Sequence, residues 1–259
     1  MSPSRRLLLQ SVAVAGVLML VLLGLGRLTR PPGRPFVGVA QDVPGRVLLV
    51  PGYGGATGSL EPLAAALRAA GREVAIVGLP GDGTGDLREA ARVLDAATAG
   101  ATSVDVVGYS AGGVVARYWV HSLGGGRLAR RVVTLGSPHH GTSLAAVGAA
   151  FASGACPTAC EQLVPGSSLL KALNSGDETP PGPQWLSLWT SQDQTVKPAA
   201  SARLDGATDV VLQDVCPGIA ISHSQLPEAP LVKGIVLQAL GVAPIRRPTG
   251  CAALLAAGR

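Results

Sequence analysis

The stretch Val104–Trp119, VDVVGYSAGGVVARYW, decides the fold. Residues 104–109 are mostly apolar and rich in valine, the signature of a short buried strand. From Ala111 to Ser122 the pattern becomes that of a helix. Ser110 stands at the junction, with Gly108 and Gly112 two residues away on either side. A strand that turns at once into a helix is the building unit of a parallel sheet. A serine at such a turn is either an ordinary turn residue or a hydroxyl placed to react.

The same alternation extends outward in both directions. RVLLV (46–50) is a continuous apolar run between Gly45 and Pro51, as expected of a strand buried on both faces. Residues 59–70 read as a helix with Ser59 as cap and Gly71 as stop. EVAIVGL (73–79) reads as a strand and 86–99 as a helix capped by Asp86. RVVTLG (131–136) supplies another strand. WLSLWTS (185–191) and DVVLQDV (209–215) add two more, and 232–240 reads as a closing helix. The fold class is therefore α/β, a mostly parallel central sheet with helices on both faces. Residues 137–183 carry few strand signals and much Gly, Pro and Ser. A segment that long inside a compact domain is usually a functional loop or lid. The C-terminal AALLAAGR reads as a tail fixed by Cys251, too short to act as an anchor.

The chain has 259 residues, 47% of them apolar but only 3% aromatic, so it can bury a large core without an aromatic binding groove. Its formal charge of +5 comes from Arg5, Arg6, Arg27, Arg30 and Arg34. Beyond those five arginines, basic and acidic residues balance at 16 each, which speaks against a nucleic-acid partner. Residues 1–29 read as a signal peptide or an uncleaved signal-anchor helix, because two arginines precede the apolar run Leu7–Gly26. SRRLLL resembles a twin-arginine signal, although paired arginines also serve plain positive-inside orientation. Arg27 and Arg30 follow where a cleavage site would lie, which favours an anchor. The alternative site, Gly38-Val39-Ala40, lies far downstream. Residues 30–44 form a linker, stiffened by RPPGRP, and 45–259 the folded domain. The domain is expected outside the cytoplasm, membrane-anchored or secreted, and monomeric.

The four cysteines, Cys156, Cys160, Cys216 and Cys251, suit two disulfides in an exported chain. The closeness of the first two favours Cys156–Cys160 with Cys216–Cys251. The spacing argues against a four-cysteine metal site, and no metal is expected.

Gly108-Tyr109-Ser110-Ala111-Gly112 matches Gly-x-Ser-x-Gly at the carboxyl end of a strand, where parallel sheets bind ligands. The turn is so tight that the positions two before and two after the serine have no room for side chains. The helix that follows offers unpaired N–H groups and a positive dipole end to a developing oxyanion. A nucleophilic serine needs a base and an orienting acid, which follow it in the order acid, histidine on such a sheet. Of four histidines, His121 lies within the following helix, and His139 and His140 come before any suitable acid. That leaves His223. Asp193, just past the strand at 185–190, is the expected acid. Asp205 sits in an Asp-Gly turn, and Asp209 and Asp214 flank a strand that comes too late. The expected oxyanion donors are the backbone N–H groups of Tyr53, in the Gly-rich loop VPGYGG, and of Ala111. Leu144, Val147, Phe151 and Leu163 could line an acyl pocket, but such residues serve a core just as readily.

LVPGYGG, VVGYSAGGVVARYW, VTLGSPHHGT, WTSQDQTVKPAASARLDGA and ISHSQLP, taken in succession, resemble the small secreted bacterial lipases of the α/β-hydrolase superfamily. The resemblance covers roughly residues 45–242. It implies a triacylglycerol lipase or carboxylesterase without a cofactor, acting on an ester or lipid substrate; the apolar N-terminal segment separately makes a membrane the expected partner. Many relatives carry His-Gly where this chain has Pro51-Gly52, which should matter little for a backbone donor. The segment 141–183 is longer than a minimal relative needs. Acyl transfer or thioester cleavage on the same residues, and a non-catalytic interaction protein on a hydrolase scaffold, are the alternatives.

Overall fold

The computed structural model describes residues 38–145 and 156–259, together with the single positions Gly16 and Met19. The chain separates into two units, Met1–Phe36 and Val37–Arg259, and the second contains everything described below. Readings that concern residues 1–37, and Val147 and Phe151, lie outside the described residues. Among the described residues no helix is long and apolar enough to cross a membrane.

Six strands form one parallel sheet: β1 (Arg46–Val50), β2 (Val74–Ile76), β3 (Val104–Tyr109), β4 (Ala129–Leu135), β5 (Gln184–Trp189) and β6 (Thr208–Val211). Their order across the sheet is β2-β1-β3-β4-β5-β6. The helices are α1 (Glu61–Ala69), α2 (Leu87–Ala97), α3 (Ala111–Ser122), α4 (Thr158–Gln162), α5 (Ser168–Leu173), α6 (Leu212–Val215), α7 (Pro230–Ala239) and α8 (Cys251–Ala257). Successive strand residues feed opposite faces, as the pleat requires. Leu48, Val50, Val106 and Val132 pack with α2 and α3. Val47, Leu49, Val107, Val133 and Leu135 pack with α1 and α7. This two-sided burial is why the strands read as unbroken apolar runs.

The order of strands reverses between β1 and β3, which lie side by side. The carboxyl ends of these two strands flank a crevice where α/β sheets bind ligands. The loop beginning at Pro51 and the β3–α3 turn at Ser110 both open there.

Several expected elements differ in detail. Ser59 does not cap α1: its hydroxyl bonds back to Ala56 O, and a short 3-10 turn precedes a helix that starts with a proline in its first turn. Asp86 does cap α2, accepting from Arg88 N at 2.8 Å. Of 73–79 only Val74–Ile76 is ladder strand. Residues 209–215 are not one strand, because the chain leaves the sheet at Val211 and turns into α6. That turn buries Leu212 and swings Gln213 towards Thr190 and Ile219. The C-terminal tail is a helix, α8, packed against α7. Residues 137–183 contain α4 and α5.

The cysteines pair Cys156–Cys160 and Cys216–Cys251. The second bridge ties α6 to α8 across 35 residues of sequence. In the chain-entropy account such a loop closure is worth about 4 kcal/mol.

Asp105 interrupts the apolar run of β3 for a reason. Its carboxylate is fully buried and receives Arg130 through two bonds, 2.9 and 2.6 Å, and Arg72 through one of 2.6 Å. Further guanidinium N–H groups of Arg72, Arg130 and Arg131 go to the Ala239, Leu240, Gly241 and Val242 carbonyls, and others of Arg72 and Arg130 to Gly45 and Gln41 carbonyls. Ala239 and Leu240 are the last residue and the cap of α7, whose carbonyls the helix end leaves without helical partners, and the cations also meet the negative end of its dipole.

Candidate active site

Ser110 is the one non-glycine residue with positive φ among the described residues, at φ 52°, ψ −124°. The turn leaves it little choice. Ser110 N–H donates to Leu135 O (2.8 Å), while its carbonyl accepts from Gly113 N (3.0 Å). A Cβ on Gly108 would strike the backbone of Gly112 and Gly113, and one on Gly112 would strike Val50 and Pro51 carbonyls. Both glycines are thus required by contact. The strained backbone lifts the serine hydroxyl clear of the sheet.

His223 and Asp193 come to this hydroxyl from the far ends of other segments. His223 Nε2 is 3.0 Å from Ser110 Oγ, and His223 Nδ1 is 2.7 Å from Asp193 Oδ2. Asp193 is 1% exposed, yet its charge is well served. Its other oxygen accepts from Thr195 N and Val196 N, both at 2.8 Å. An imidazole held so by a buried carboxylate can take a proton from the serine and carry the resulting charge.

The loop bearing His223 is pinned on both sides. Thr190 Oγ1 donates to Ile221 O (2.8 Å), and Gln213 Nε2 donates to Thr190 Oγ1 (3.0 Å). Tyr109 O–H donates to His223 O at 3.2 Å, and its ring lies 5.2 Å from the imidazole. Burial pushes the Tyr109 phenol up to about 12, so it stays protonated and remains a donor.

The Tyr53 and Ala111 N–H groups have no hydrogen-bond partner among the described residues. Both residues lie by the serine, Ala111 following it and Tyr53 lining the same cavity. This cavity, about 200 Å³, is also walled by Pro138, Leu144, Cys160, Leu163 and Val196. Leu144 and Leu163, which could equally have served the core, are part of that wall. A larger cavity of about 460 Å³ beside α2 is lined by Asp82, Asp86 and Glu89 and by neither Ser110 nor His223.

The other residues considered lie elsewhere. His121 is exposed beside Ser122. His140 meets Glu178, and fully buried His139 bonds Thr134 Oγ1. Burial, with Arg117 and His140 nearby, holds His139 far below the usual histidine range, so it is neutral. Asp209 accepts from Trp189 Nε1, Asp214 faces Arg247, and Asp205 closes its own turn. Among the described residues no cluster of side chains suits a metal ion.

Gly136 is a residue the sequence reading passed over. It has φ 55°, and an added Cβ would lie 2.5 Å from Leu226 Cδ1, 3.2 Å from His223 Nδ1 and 3.3 Å from Asp193 Oδ2. The only signal was a glycine at the end of β4. Gly136→Ala is expected to cost about 1–3 kcal/mol of stability through overpacking and backbone strain. It should also cut turnover by spreading the His223–Asp193 pair. Thermal melts and ester kinetics on the same preparation check both.

The sequence model of the class 2 lipases matches residues 87–216, half of the chain, including Ser110 and Asp193. The chain belongs to the class 2 lipase family. No curated protein matches it. The Bacillus licheniformis lipase BlEst2 in mature form is similar in structure, with a TM-score of 0.63 and 18% identity over 82% of this chain and 96% of that one. Its propeptide form gives 0.64 and 19% over 85% of this chain, which spans 56% of that longer chain. MGS-MChE2, an alpha/beta hydrolase enzyme from a lagoon-sediment metagenome, gives 0.51 and 17% over 75% of this chain and 89% of that one. At these identities the likeness is one of fold, and that fold is the α/β-hydrolase fold.

Proposed function

We propose that this class 2 lipase family member is an extracytoplasmic serine hydrolase of carboxylic esters, a lipase or esterase working through an acyl-enzyme. The observation that carries the reading is the relay Ser110 Oγ–His223 Nε2–Asp193 Oδ2, with links of 3.0 and 2.7 Å, beside a mostly apolar cavity. Ser110 attacks the ester carbonyl as His223 takes its proton. Asp193 keeps the imidazole in the required tautomer and stabilises the imidazolium. The Tyr53 and Ala111 N–H groups bind the oxyanion, each worth about 100- to 1000-fold in rate. His223 then protonates the leaving alcohol and activates water, which releases the acid. These steps draw only on the side chains and backbone groups named.

Two disulfides support an oxidising workplace. The apolar N-terminal run supports delivery to a membrane or across it. The partners proposed are an ester or lipid substrate and that membrane.

The test is turnover of p-nitrophenyl esters of short and long acyl chains by the wild type and by Ser110→Ala. The wild type is expected to turn over, and the variant to lose at least about 1000-fold in kcat with its fold intact. A folded wild type inactive on every ester, or a Ser110→Ala variant that stays active, overturns the reading.

A further inference from the structure

The cavity beside Ser110 is bounded on one side by a single helical turn that has two working faces. In α4 and the residue after it, Ala159 and Gln162 stand three apart, as do Cys160 and Leu163, so each pair shares a face. Cys160 and Leu163 line the cavity. Ala159 and Gln162 are turned to the scaffold. Ala159 N–H donates to Thr84 O at 3.1 Å. Gln162, 7% exposed, uses both ends of its carboxamide on the start of α2. Its Oε1 accepts from Leu87 N at 2.8 Å, and its Nε2 donates to Asp86 Oδ1 at 2.6 Å. Asp86 is at once the cap of that helix. The far side of the turn is closed by Thr142 N–H donating to Leu163 O at 3.0 Å.

The geometry points to Gln162 as a specificity-positioning residue, a latch that fixes the Cys160–Leu163 wall of the acyl site to the rigid start of α2. The inference rests on the hydrolase reading and deepens it: the latch acts on how the acyl chain is held, not on the chemistry at Ser110. Gln162 contributes no atom to the cavity lining. The glutamine carboxamide offers a donor to a carboxylate and an acceptor to a backbone N–H at once. Glutamate keeps the acceptor but sets a second carboxylate against Asp86. Leucine removes both bonds.

The experiment uses the full-length protein and two substrates, p-nitrophenyl acetate and p-nitrophenyl octanoate. It compares wild type, Gln162→Glu, Gln162→Leu and, as a direct change to the wall, Leu163→Ala. Both Gln162 variants are expected to keep kcat on acetate within about twofold of wild type and to raise KM for octanoate at least fivefold, in the direction of Leu163→Ala. The acetate rate also reports folding of each sample. An unchanged octanoate-to-acetate ratio, an equal loss on both esters, or failure of the Gln162 variants to fold would make Gln162 an ordinary structural residue and overturn the inference alone. A folded wild type inactive on both esters overturns the hydrolase reading, and the inference with it.

Discussion

Asp193→Asn is expected to lower kcat by about 10,000-fold while leaving the fold in place. The residue is nearly isosteric with the native one. Its carbonyl can still accept from Thr195 and Val196 N–H, the two bonds that anchor Asp193 Oδ1. The atom facing His223 Nδ1 then becomes an amide NH₂. That donor makes Nδ1 the acceptor and puts the ring proton on Nε2, 3.0 Å from Ser110 Oγ. The imidazole then donates to the serine where it should accept, and its charged form loses its counter-ion. Loss of the orienting carboxylate with geometry preserved costs about four orders of magnitude in hydrolases of this design. Steady-state kinetics with a melting curve on the same sample check it. A loss below about tenfold would mean that another group orients His223.

The largest effect on stability is expected at the opposite end of the sheet. Asp105→Ala leaves Arg130 and Arg72 without the carboxylate they share, beside buried Arg131. Removing one partner of a buried ion pair typically costs about 3–5 kcal/mol, because the remaining charge stays buried. Here two guanidinium groups lose their partner at once, and the carbonyls ending α7 cannot neutralise them. For a domain of this size the melting temperature should fall by roughly 10 °C or more. Activity measured well below the melting point should hardly change, since the cluster lies at the amino ends of the strands, away from Ser110. Chemical denaturation of wild type and variant gives the number directly. A change under about 1 kcal/mol would mean that the cluster is held by backbone carbonyls alone.

The two predictions concern residues of opposite legibility. Ser110 stood out because the residue pattern switches there from strand to helix with glycines at both required positions. His223 stood out because histidine is scarce, with four in the chain, and only one follows the later strands. Asp193 followed from its place after β5. Each of these is a local signal with a positional rule behind it. Asp105 carried no such signal, since a single acid in an apolar strand reads the same whether it is exposed or paired. Its partners Arg72 and Arg130 lie 33 and 25 residues away. Gly136 and Gln162 were silent for the same reason, their roles being set by neighbours remote in sequence. Residues 209–215 misled because Val, Leu and Val suit a strand and a buried helical turn alike, and the contacts of Gln213 decide between them. The C-terminal residues read as a tail because a seven-residue helix has little intrinsic stability. Packing on α7 and the bridge to Cys216 hold it.

The central claim, that Ser110 is the nucleophile, is met most directly by covalent labelling. The purified protein is treated with a p-nitrophenyl alkylphosphonate, which phosphonylates an activated serine and releases p-nitrophenolate. The account predicts one equivalent of p-nitrophenolate per chain, one phosphonyl adduct mapped by peptide mass spectrometry to Ser110, and no adduct in Ser110→Ala. An adduct on another residue, or equal labelling of wild type and Ser110→Ala, would contradict it.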